Sequence, residues 1–373
     1  MRSSPNRRVL YDGEAFIRHR RSGITRYLAE LITEFAEDPS HAVTPVTPFR
    51  YVANAHLVDA ASGGYRHVPV PGRWRVPLLG RMNRGAERRV GDGAGWDLVH
   101  HSLYEPPALE RWAGGPRVCT VYDFNFELHP EHFGDTAGLL ADKERFLAAC
   151  DALICISETT ASDLRRVHPD LDKPVFVTPL AAGAEFFEPA RSPIRGLPER
   201  YLLNVGNRHP HKNVDVLLRA FAAMMASDPD LHLVLCGAHL PSEPARLREL
   251  GIAERTHVLR ASDAQLPWLY SRAEAFVFTS LCEGFGLPAV EAMAAGCPVV
   301  LSDIPALVEV ADDAALYFRP DDVEGLVACL QRVVGDETLR KDLITRGSAR
   351  AAGFTWKRTA ELTAAAYDRA VLS

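Results

Sequence analysis

Short apolar runs alternate with longer amphipathic stretches along almost the whole chain. The runs include residues 8–11, 117–121, 152–156, 201–205 and 275–279, and they are rich in branched or aromatic side chains. Such runs are typical of buried strands, and helices placed between consecutive strands make those strands parallel. The alternation therefore predicts an α/β protein whose parallel sheets are covered by helices on both faces.

One irregular segment interrupts this alternation. Residues 188–198 are rich in proline and have the composition of an interdomain linker. A chain of 373 residues is also long enough for two domains. We expect a Rossmann-like domain over residues 1–187, a second one over 188–355, and a terminal helix over 356–373 that packs on the first domain. Two doubly wound domains that face each other leave a cleft lined by the carboxyl ends of both sheets.

Composition and charge exclude several classes of protein. With 47% hydrophobic and 24% charged residues, the chain is an ordinary globular protein rather than a fibrous or disordered one. The net charge of −6 argues against a nucleic-acid partner, because phosphate backbones are bound by clustered Lys and Arg. The seven cysteines are scattered, which indicates neither a disulfide framework nor a zinc site. Signal-peptide and membrane-span patterns are not visible, so we expect a cytoplasmic protein.

The segment 283–291 carries two carboxylates around a glycine-containing turn and reads EGFGLPAVE. It follows a strand-like run and opens a helix-forming stretch that ends at Gly296. A helix that begins at such a loop points free backbone N–H groups and the positive end of its dipole into the crevice, which suits a phosphate. Glu291 can accept hydrogen bonds from sugar or ribose hydroxyls, and Glu283 stands at the strand end. The segment predicts a sugar-nucleotide site.

A second loop, residues 206–213, also lies between a strand and a helix. Arg208 can bind phosphate oxygens through its planar fork, and Lys212 supplies a compact positive charge near the helix start. By itself such a loop is better explained by solvated surface charges. Because both loops follow strands of one predicted sheet, we expect them to converge on one crevice, where the cations could neutralise a leaving diphosphate.

These motifs resemble those of the retaining GT-B glycosyltransferases of family 4. The resemblance is densest in residues 204–213, 280–302 and 308–318, and it extends to 22–27, 156–164 and 178–180 in the first half. It implies a GT-B fold, a nucleoside-diphosphate sugar as donor and a hydroxyl group as acceptor. It also implies that no cofactor or metal takes part in the reaction.

The resemblance also implies roles for individual residues. The donor would be bound by Gly23, Gly206, Asn207, Arg260, Gly284, Phe285, Gly286, Leu287 and Glu291. Within this set Glu291 would hold the ribose hydroxyls, and the N–H groups of residues 285–287 would meet the sugar and diphosphate. Lys212 matches the diphosphate-binding lysine, and Glu283 the glutamate beside the donor sugar. Relatives often carry an arginine directly after the glycine, whereas this chain has Asn207 there and Arg208 one place later.

The sharpest departure from the family pattern is Tyr122. Many relatives have His-Asp after the strand 117–121, and this chain has Tyr122-Asp123. Because position 122 is a tyrosine, a histidine base is excluded here, and a tyrosine is itself a poor proton carrier near neutral pH. In the front-face mechanism favoured for the family, the leaving phosphate takes the acceptor proton and the protein stabilises the diphosphate charge. Asp123 is a candidate for orienting the acceptor hydroxyl, with a structural role in its loop as the alternative.

Other chemistries are less well supported by position. The aspartate pairs at 170 and 172 and at 228 and 230 precede strands, which is the wrong edge of a sheet for a metal ligand. The histidine pairs 129/132 and 209/211 lack a third ligand at suitable spacing, so we expect loop roles for them. A nicotinamide-binding fingerprint and a hydrolase elbow are both missing.

An arginine-rich stretch covers residues 66–89, where valine, leucine and tryptophan are interleaved with the cations. One interpretation is a surface that touches anionic lipid at the inner face of a membrane or binds an anionic acceptor. The other is a helix whose arginines are solvated, which we favour because no sustained amphipathic repeat is visible.

Taken together, the residues and the resemblance imply a two-domain, metal-independent hexosyltransferase with retention of configuration. Its donor would be a GDP-mannose-like, UDP- or dTDP-sugar, and its acceptor a glycan, a lipid-linked saccharide or a secondary metabolite. Two alternatives stay open. One is a sugar-nucleotide epimerase or a phosphorylase on the same fold, and the other is a non-catalytic nucleotide-sugar-binding protein.

Overall fold

The computed structural model describes residues 5–54, 56–60, 64–91, 95–190, 192–225, 227–238 and 240–372. The other positions of the predicted domain ranges, 1–4, 55, 61–63, 92–94, 191, 226, 239 and 373, lie outside the described residues. The chain forms two compact units. Unit 1 comprises residues 1–127, 135–180 and 356–373, and unit 2 comprises residues 128–134 and 181–355.

Unit 1 is built on a six-stranded parallel sheet with the strand order β2-β1-β5-β6-β7-β8. The strands of this unit are β1 (Arg7–Tyr11), β2 (Val43–Val46), β3 (Tyr51–Val52), β4 (Arg66–His67), β5 (Leu98–His101), β6 (Arg117–Val121), β7 (Ala152–Cys155) and β8 (Val175–Val177). The short β3 and β4 pair with each other in a separate parallel ribbon. The central strands are buried along their length, as a sheet covered on both faces requires.

The helices of unit 1 are α1 (Glu14–Arg18), α2 (Gly23–Glu37), α3 (His56–Ala60), α4 (Gly72–Val90), α5 (Pro106–Arg111), α6 (Asn125–Leu128), α7 (Ala137–Ala149) and α8 (Glu158–Val167). Helix α2 begins at a capping box, in which the Ser22 side chain accepts from the Thr25 N–H and the Thr25 hydroxyl oxygen accepts from the Ser22 N–H. Its buried face includes Tyr27, Leu28 and Leu31, spaced for one side of a helix.

The last helix of the chain, α16 (Trp356–Val371), belongs to unit 1 and packs on α2 and on the sheet. A buried polar network fixes it there. The Tyr367 hydroxyl lies 2.8 Å from the Tyr11 hydroxyl and 2.7 Å from His100 Nδ1. His100 Nε2 lies 2.8 Å from the Thr120 hydroxyl. Both nitrogens of His100 are thus within hydrogen-bonding distance of a hydroxyl group. Burial lowers the pKa of His100 to about 3, so the imidazole is neutral.

Unit 2 repeats the architecture with the strand order β11-β10-β9-β12-β13-β14, again all parallel. Its strands are β9 (Tyr201–Val205), β10 (His232–Cys236), β11 (Thr256–Leu259), β12 (Ala275–Phe278), β13 (Val299–Ser302) and β14 (Ala315–Phe318). Its helices are α9 (Val214–Met224), α10 (Glu243–Glu249), α11 (Leu266–Arg272), α12 (Leu287–Ala294), α13 (Pro305–Ala311), α14 (Val323–Gly335) and α15 (Glu337–Ala352). Short 3-10 turns also occur in this unit, among them Pro130–His132 and Pro210–Lys212.

The core of unit 2 fills one side of its sheet. Leu217 and Phe221 of α9 and Leu330 of α14 are fully buried against strand side chains such as Leu235 and Val277. This close-packed layer holds the strand ends, and therefore the loops that follow them, in fixed positions. The predicted α/β class with two doubly wound parallel sheets is confirmed.

Two further findings concern the composition of the helices and the state of the cysteines. Among the described residues, no helix combines the length and the apolar composition that a bilayer-spanning segment needs. All seven cysteines are buried free thiols.

Candidate functional site

The switch point of the unit 2 sheet lies between β9 and β12. Strand order runs outward through β10 and β11 on one side of this point and through β13 and β14 on the other. At such a point the loops after the two central strands diverge and leave a crevice at the carboxyl edge, where open α/β sheets bind their ligands. The loops here are residues 206–213 after β9 and residues 279–286 after β12. They are the two loops that the sequence singled out.

A short ion pair joins the two loops. Lys212 Nζ donates to Glu283 Oε1 over 2.6 Å, and the Ser280 hydroxyl donates to the same oxygen over 2.6 Å. The side chains of Lys212 and Glu283 are only 18% and 12% exposed. The ammonium also lies 5.4 Å from the centre of the Phe278 ring. Shielding from water strengthens the pair, so this end of the crevice carries a fixed positive charge held by a fixed negative one.

Hydrogen bonds to main-chain carbonyls also hold these loops in place. The Thr279 hydroxyl donates to the carbonyl of Lys212 over 2.8 Å, and the Leu281 N–H donates to the carbonyl of His211 over 2.8 Å. Asn213 adopts a left-handed conformation before α9, and its side chain donates to the Pro320 carbonyl over 2.7 Å. Because both loops are fixed by backbone contacts, Lys212 is positioned by more than its own side chain.

The turn into α12 depends on glycine. Gly286 has φ of +106°, and a Cβ built there would lie 2.5 Å from Leu307 Cδ2. Within the described part of the chain, the N–H groups of Phe285 and Gly286 make no hydrogen bond with protein. The start of the helix therefore offers backbone donors that an anion could accept.

Glu291 lies in the second turn of α12 and is 5% exposed. The Tyr270 hydroxyl donates to its Oε2 over 3.3 Å. Burial, and then the nearby Glu291 carboxylate, raise the pKa of Tyr270 well above its usual value, so the phenol stays protonated and continues to donate. Tyr270 thus orients the carboxylate.

Arg208 points into unit 2, and its side chain is 4% exposed. Its Nε donates to Glu243 Oε1 over 3.3 Å, and its Nη1 donates to the Gly206 carbonyl over 2.7 Å. Its Nη2 is buried without a partner among the residues that the structure describes. In this arrangement Arg208 fixes the loop after β9, and a direct contact of its fork with phosphate remains a prediction.

The remaining predicted donor residues lie at the same edge of the sheet. Gly206 follows β9 and Gly237 follows β10. The two backbones approach each other so closely that a Cβ on Gly237 would lie 2.0 Å from the Gly206 carbonyl oxygen. Asn207 is exposed and accepts from the His209 N–H over 3.3 Å. Arg260 is exposed directly after β11. A nucleotide contact of Asn207 or Arg260 stays a prediction.

Unit 1 has its own switch point between β1 and β5, and a buried network occupies it. His101 Nδ1 lies 3.0 Å from Asp12 Oδ2, and the Ser102 hydroxyl donates to Asp12 Oδ1 over 2.5 Å. The side chains of Asp12 and His101 are fully buried. The Ser102 hydroxyl oxygen also accepts from the Ala15 N–H over 3.1 Å, which fixes the loop that follows β1. Gly23, the first residue of α2, is exposed with open space where a Cβ would stand.

Tyr122 and Asp123 follow β6 in unit 1. The Tyr122 hydroxyl donates to the Ser102 carbonyl over 3.0 Å, and burial raises its pKa well above the usual value. The phenol therefore stays protonated near neutral pH, which agrees with the expectation that Tyr122 is a poor proton carrier. Asp123 Oδ1 accepts from the Asn125 N–H over 3.0 Å and the Asp123 carbonyl accepts from Lys143 Nζ over 2.6 Å. A structural role for Asp123 is thus visible, and its contact with an acceptor stays a prediction.

Sequence reasoning missed several residues at these two edges. Ser280 and Tyr270 orient the two glutamates of unit 2, and Asp12, His101 and Ser102 organise the edge of unit 1. Ser280 could have been found because a hydroxyl at a strand end lies three residues before Glu283. The others join positions far apart in the chain, so their contacts carry no local signal.

Comparisons with known proteins agree with the two-unit organisation. Residues 190–350 match the family described as "Glycosyl transferases group 1", and residues 21–182 match "Glycosyltransferase Family 4". The chain is 30% identical to the O-antigen chain mannosyltransferase B of Escherichia coli, over 73% of this chain and 74% of that protein. It is also 30% identical to a D-inositol 3-phosphate glycosyltransferase of Salinispora arenicola, over 93% of this chain and 86% of the relative.

Solved structures share the fold at lower identity. A sucrose-phosphate synthase of Thermosynechococcus elongatus superposes with a TM-score of 0.76 at 20% identity, covering 97% of this chain and 98% of that one. The Anabaena protein HepE, solved in complex with UDP and glucose, gives a TM-score of 0.71 at 16% identity, covering 97% and 99%. The architecture described above is therefore the GT-B fold.

Proposed function

The chain belongs to the group 1, family 4 glycosyltransferases, and from this premise we propose that it is a retaining hexosyltransferase whose donor is a nucleoside-diphosphate sugar. We place the donor at the switch point of unit 2 and the acceptor on unit 1. The observation that carries the proposal is the Lys212–Glu283 pair, which holds an ammonium group at the crevice. Beside it, at the start of α12, the N–H groups of Phe285 and Gly286 have no protein partner in the described part of the chain.

Each group at this edge suits one part of such a donor. The N–H groups of Phe285 and Gly286 and the Lys212 ammonium suit the diphosphate, whose negative charge grows as the glycosidic bond breaks. Glu291, oriented by Tyr270, suits a vicinal diol such as that of ribose, because a carboxylate accepts hydrogen bonds from two hydroxyls. Glu283 would then lie next to the sugar.

The proposed chemistry needs no protein base. The bond between the anomeric carbon and the diphosphate oxygen breaks, the acceptor oxygen bonds to the same face of that carbon, and the acceptor proton passes to the leaving diphosphate. Two groups that could compete for this proton are engaged elsewhere in unit 1: the Tyr122 hydroxyl donates to Ser102, and Asp123 Oδ1 accepts from Asn125. Lys212 supports the reaction by stabilising the leaving group.

The donor and the stereochemistry can be tested together. Curated relatives carry the names mannosyltransferase and glycosyltransferase, so GDP-mannose, UDP-glucose and dTDP-glucose are the first donors to offer, with a panel of glycans and lipid-linked saccharides as acceptors. We expect a product with the donor's anomeric configuration by NMR. An inverted product would refute the retaining mechanism. Release of free epimer, or turnover that requires inorganic phosphate, would indicate an epimerase or a phosphorylase instead.

We further propose that transfer needs no metal cofactor, because Lys212 and the helix N–H groups supply the positive charge that a divalent ion supplies elsewhere. Transfer rates should be the same with and without a chelator. Loss of transfer in chelator, with recovery on addition of Mg²⁺ or Mn²⁺, would contradict this.

Helix α4 supports a proposal about location. Four of its apolar side chains are exposed, and three of them, Trp74, Leu78 and Met82, recur every four residues and so form one stripe along the helix, with Arg81 beside it. We propose that this stripe rests on an anionic membrane surface, with the arginines at the headgroups.

Vesicle binding tests this contact. The protein should co-sediment with phosphatidylglycerol vesicles at low salt and not with phosphatidylcholine vesicles, and the double variant Trp74→Ser/Leu78→Ser should lose most of the binding. The matched control is Leu139→Ser, which removes an exposed apolar side chain from α7 and should leave vesicle binding unchanged. Equal binding by the double variant and by wild type would refute the role of α4.

A further inference from the structure

Three possible metal ligands come together in the segment that joins α6 to α7. His129 Nδ1 lies 3.8 Å from Glu131 Oε1, and His132 Nε2 lies 3.4 Å from the same oxygen. All three ligand atoms lie within 4.8 Å of one another. The sequence expectation that the histidine pair 129/132 has no third ligand is therefore wrong. The missing ligand is the glutamate between them, which the 3-10 turn Pro130–His132 brings to the same side.

The spacing of these atoms is close to that of a zinc site. Zinc takes imidazole nitrogen and carboxylate oxygen at about 2.0–2.2 Å, so tetrahedral ligand atoms lie roughly 3.3–3.6 Å apart. The separation of 3.4 Å already lies in this range, the separation of 3.8 Å exceeds it by a few tenths of an ångström, and the remaining pair, between the two imidazoles, lies within 4.8 Å. The side chains of His129, Glu131 and His132 are 38%, 61% and 24% exposed, so they are free to make this adjustment.

A second histidine–carboxylate group in unit 1 shows what a purely structural version looks like. His41 Nε2 lies 3.2 Å from Glu34 and 3.8 Å from Asp38, but its side chain is 3% exposed. Asp38 accepts from the Ser40 N–H, and Lys357 Nζ lies 3.5 Å from it, so a cation already occupies that position. No ammonium or guanidinium is paired with Glu131 among the described residues.

We propose that His129, Glu131 and His132 form a binding site for a divalent late transition ion of the Zn²⁺ class, with a fourth position open to water. Two imidazole ligands favour Zn²⁺, Ni²⁺ or Cu²⁺ over Mg²⁺ and Ca²⁺, which prefer oxygen. The site lies in unit 2 next to the donor edge, since the Phe133 ring packs 5.0 Å from the ring of His211. It is separate from the transfer reaction proposed above and does not depend on it.

Titration calorimetry on tag-free, reduced protein tests the site. Zn²⁺ should bind with one-to-one stoichiometry, and Mg²⁺ should give no heat. His129→Ala and His132→Ala should each raise the Kd for Zn²⁺ at least tenfold, and Glu131→Gln should also weaken binding. A Zn²⁺ concentration one hundred times the Kd should raise the Tm of wild type by about 5–10 °C and leave the Tm of His132→Ala nearly unchanged.

Two controls separate this site from other sources of binding. His67→Ala removes an exposed histidine of unit 1, and His209→Ala removes the histidine whose ring stacks on that of His211. Both should bind Zn²⁺ like wild type. The proposal is overturned if wild type binds no Zn²⁺, if the His129 and His132 variants bind as tightly as wild type, or if His209→Ala abolishes binding.

Discussion

Replacing Lys212 by methionine should separate the structural and chemical roles of the donor-site ion pair. The side chain keeps most of its apolar length and loses its charge, so the carboxylate of Glu283 retains only the Ser280 hydroxyl as a partner. Removing one partner of a buried pair costs about 3–5 kcal/mol. Because the two side chains are 18% and 12% exposed, we expect a somewhat smaller loss, about 2–4 kcal/mol, in the unfolding of unit 2.

The catalytic loss should be larger than any effect on folding explains. Removing one group that stabilises developing negative charge costs about 10²–10³ in kcat. We therefore expect Lys212→Met to lower kcat/KM by at least that factor at a temperature where the variant remains folded. The Tm should fall by roughly 5–15 °C, as about 2–4 kcal/mol implies for a unit of this size.

The double variant Lys212→Met/Glu283→Gln is the matched control. It removes both charges, so no buried carboxylate is left without its cation. The Tm should recover at least half of the loss, which corresponds to a coupling free energy of about 1–3 kcal/mol between the two residues. Transfer should stay low, because the positive charge is still missing. Circular dichroism melts and initial rates measure the two effects separately. Wild-type kcat/KM in Lys212→Met, or restored transfer in the double variant, would refute the reasoning.

Three further substitutions have expected outcomes. Gly286→Ala places a side chain at φ of +106° and should destabilise unit 2 by about 1–3 kcal/mol and weaken donor binding, which thermal melts with and without nucleotide would show. Tyr367→Phe leaves His100 Nδ1 buried without its partner and should cost about 1–3 kcal/mol in urea unfolding. Burial, and next the Asp12 charge, raise the pKa of Glu14 to about 7, above its unfolded value, so its ionisation destabilises the folded state as pH rises through that range. Glu14→Gln should therefore be more stable than wild type at pH 8, by about 2–3 kcal/mol, and this difference should vanish near pH 4.

The sheets were largely predictable because each central strand is a short apolar run between helix-forming stretches. Residues 117–121 and 201–205 were assigned from this pattern, and the structure has strands at the same positions. The ribbon of β3 and β4 was missed, since two residues per strand leave no periodic signal. The positions of the site loops followed from the rule that ligands bind at the carboxyl ends of parallel strands.

Side-chain partners were much harder to predict. Lys212 and Glu283 were expected at one crevice, but their direct contact depends on the register of β9 and β12. The burial of Arg208 against Glu243 was not foreseen, because a charged loop reads the same whether its side chains face water or the core. The contact of Asp12 with His101 joins positions 89 residues apart and becomes visible only once β1 and β5 are neighbours.

Nucleoside-diphosphate binding measured by calorimetry tests the central claim most directly. The donor site proposed for unit 2 predicts that at least one of UDP, GDP, dTDP and ADP binds wild-type protein in the presence of a chelator. It also predicts that Lys212→Met and Glu291→Ala each raise the Kd at least tenfold. Arg319→Ala, which removes an exposed side chain that pairs with the equally exposed Asp321, should leave the Kd unchanged. Failure of all four nucleotides to bind, or binding that is insensitive to Lys212 and Glu291, would contradict the account.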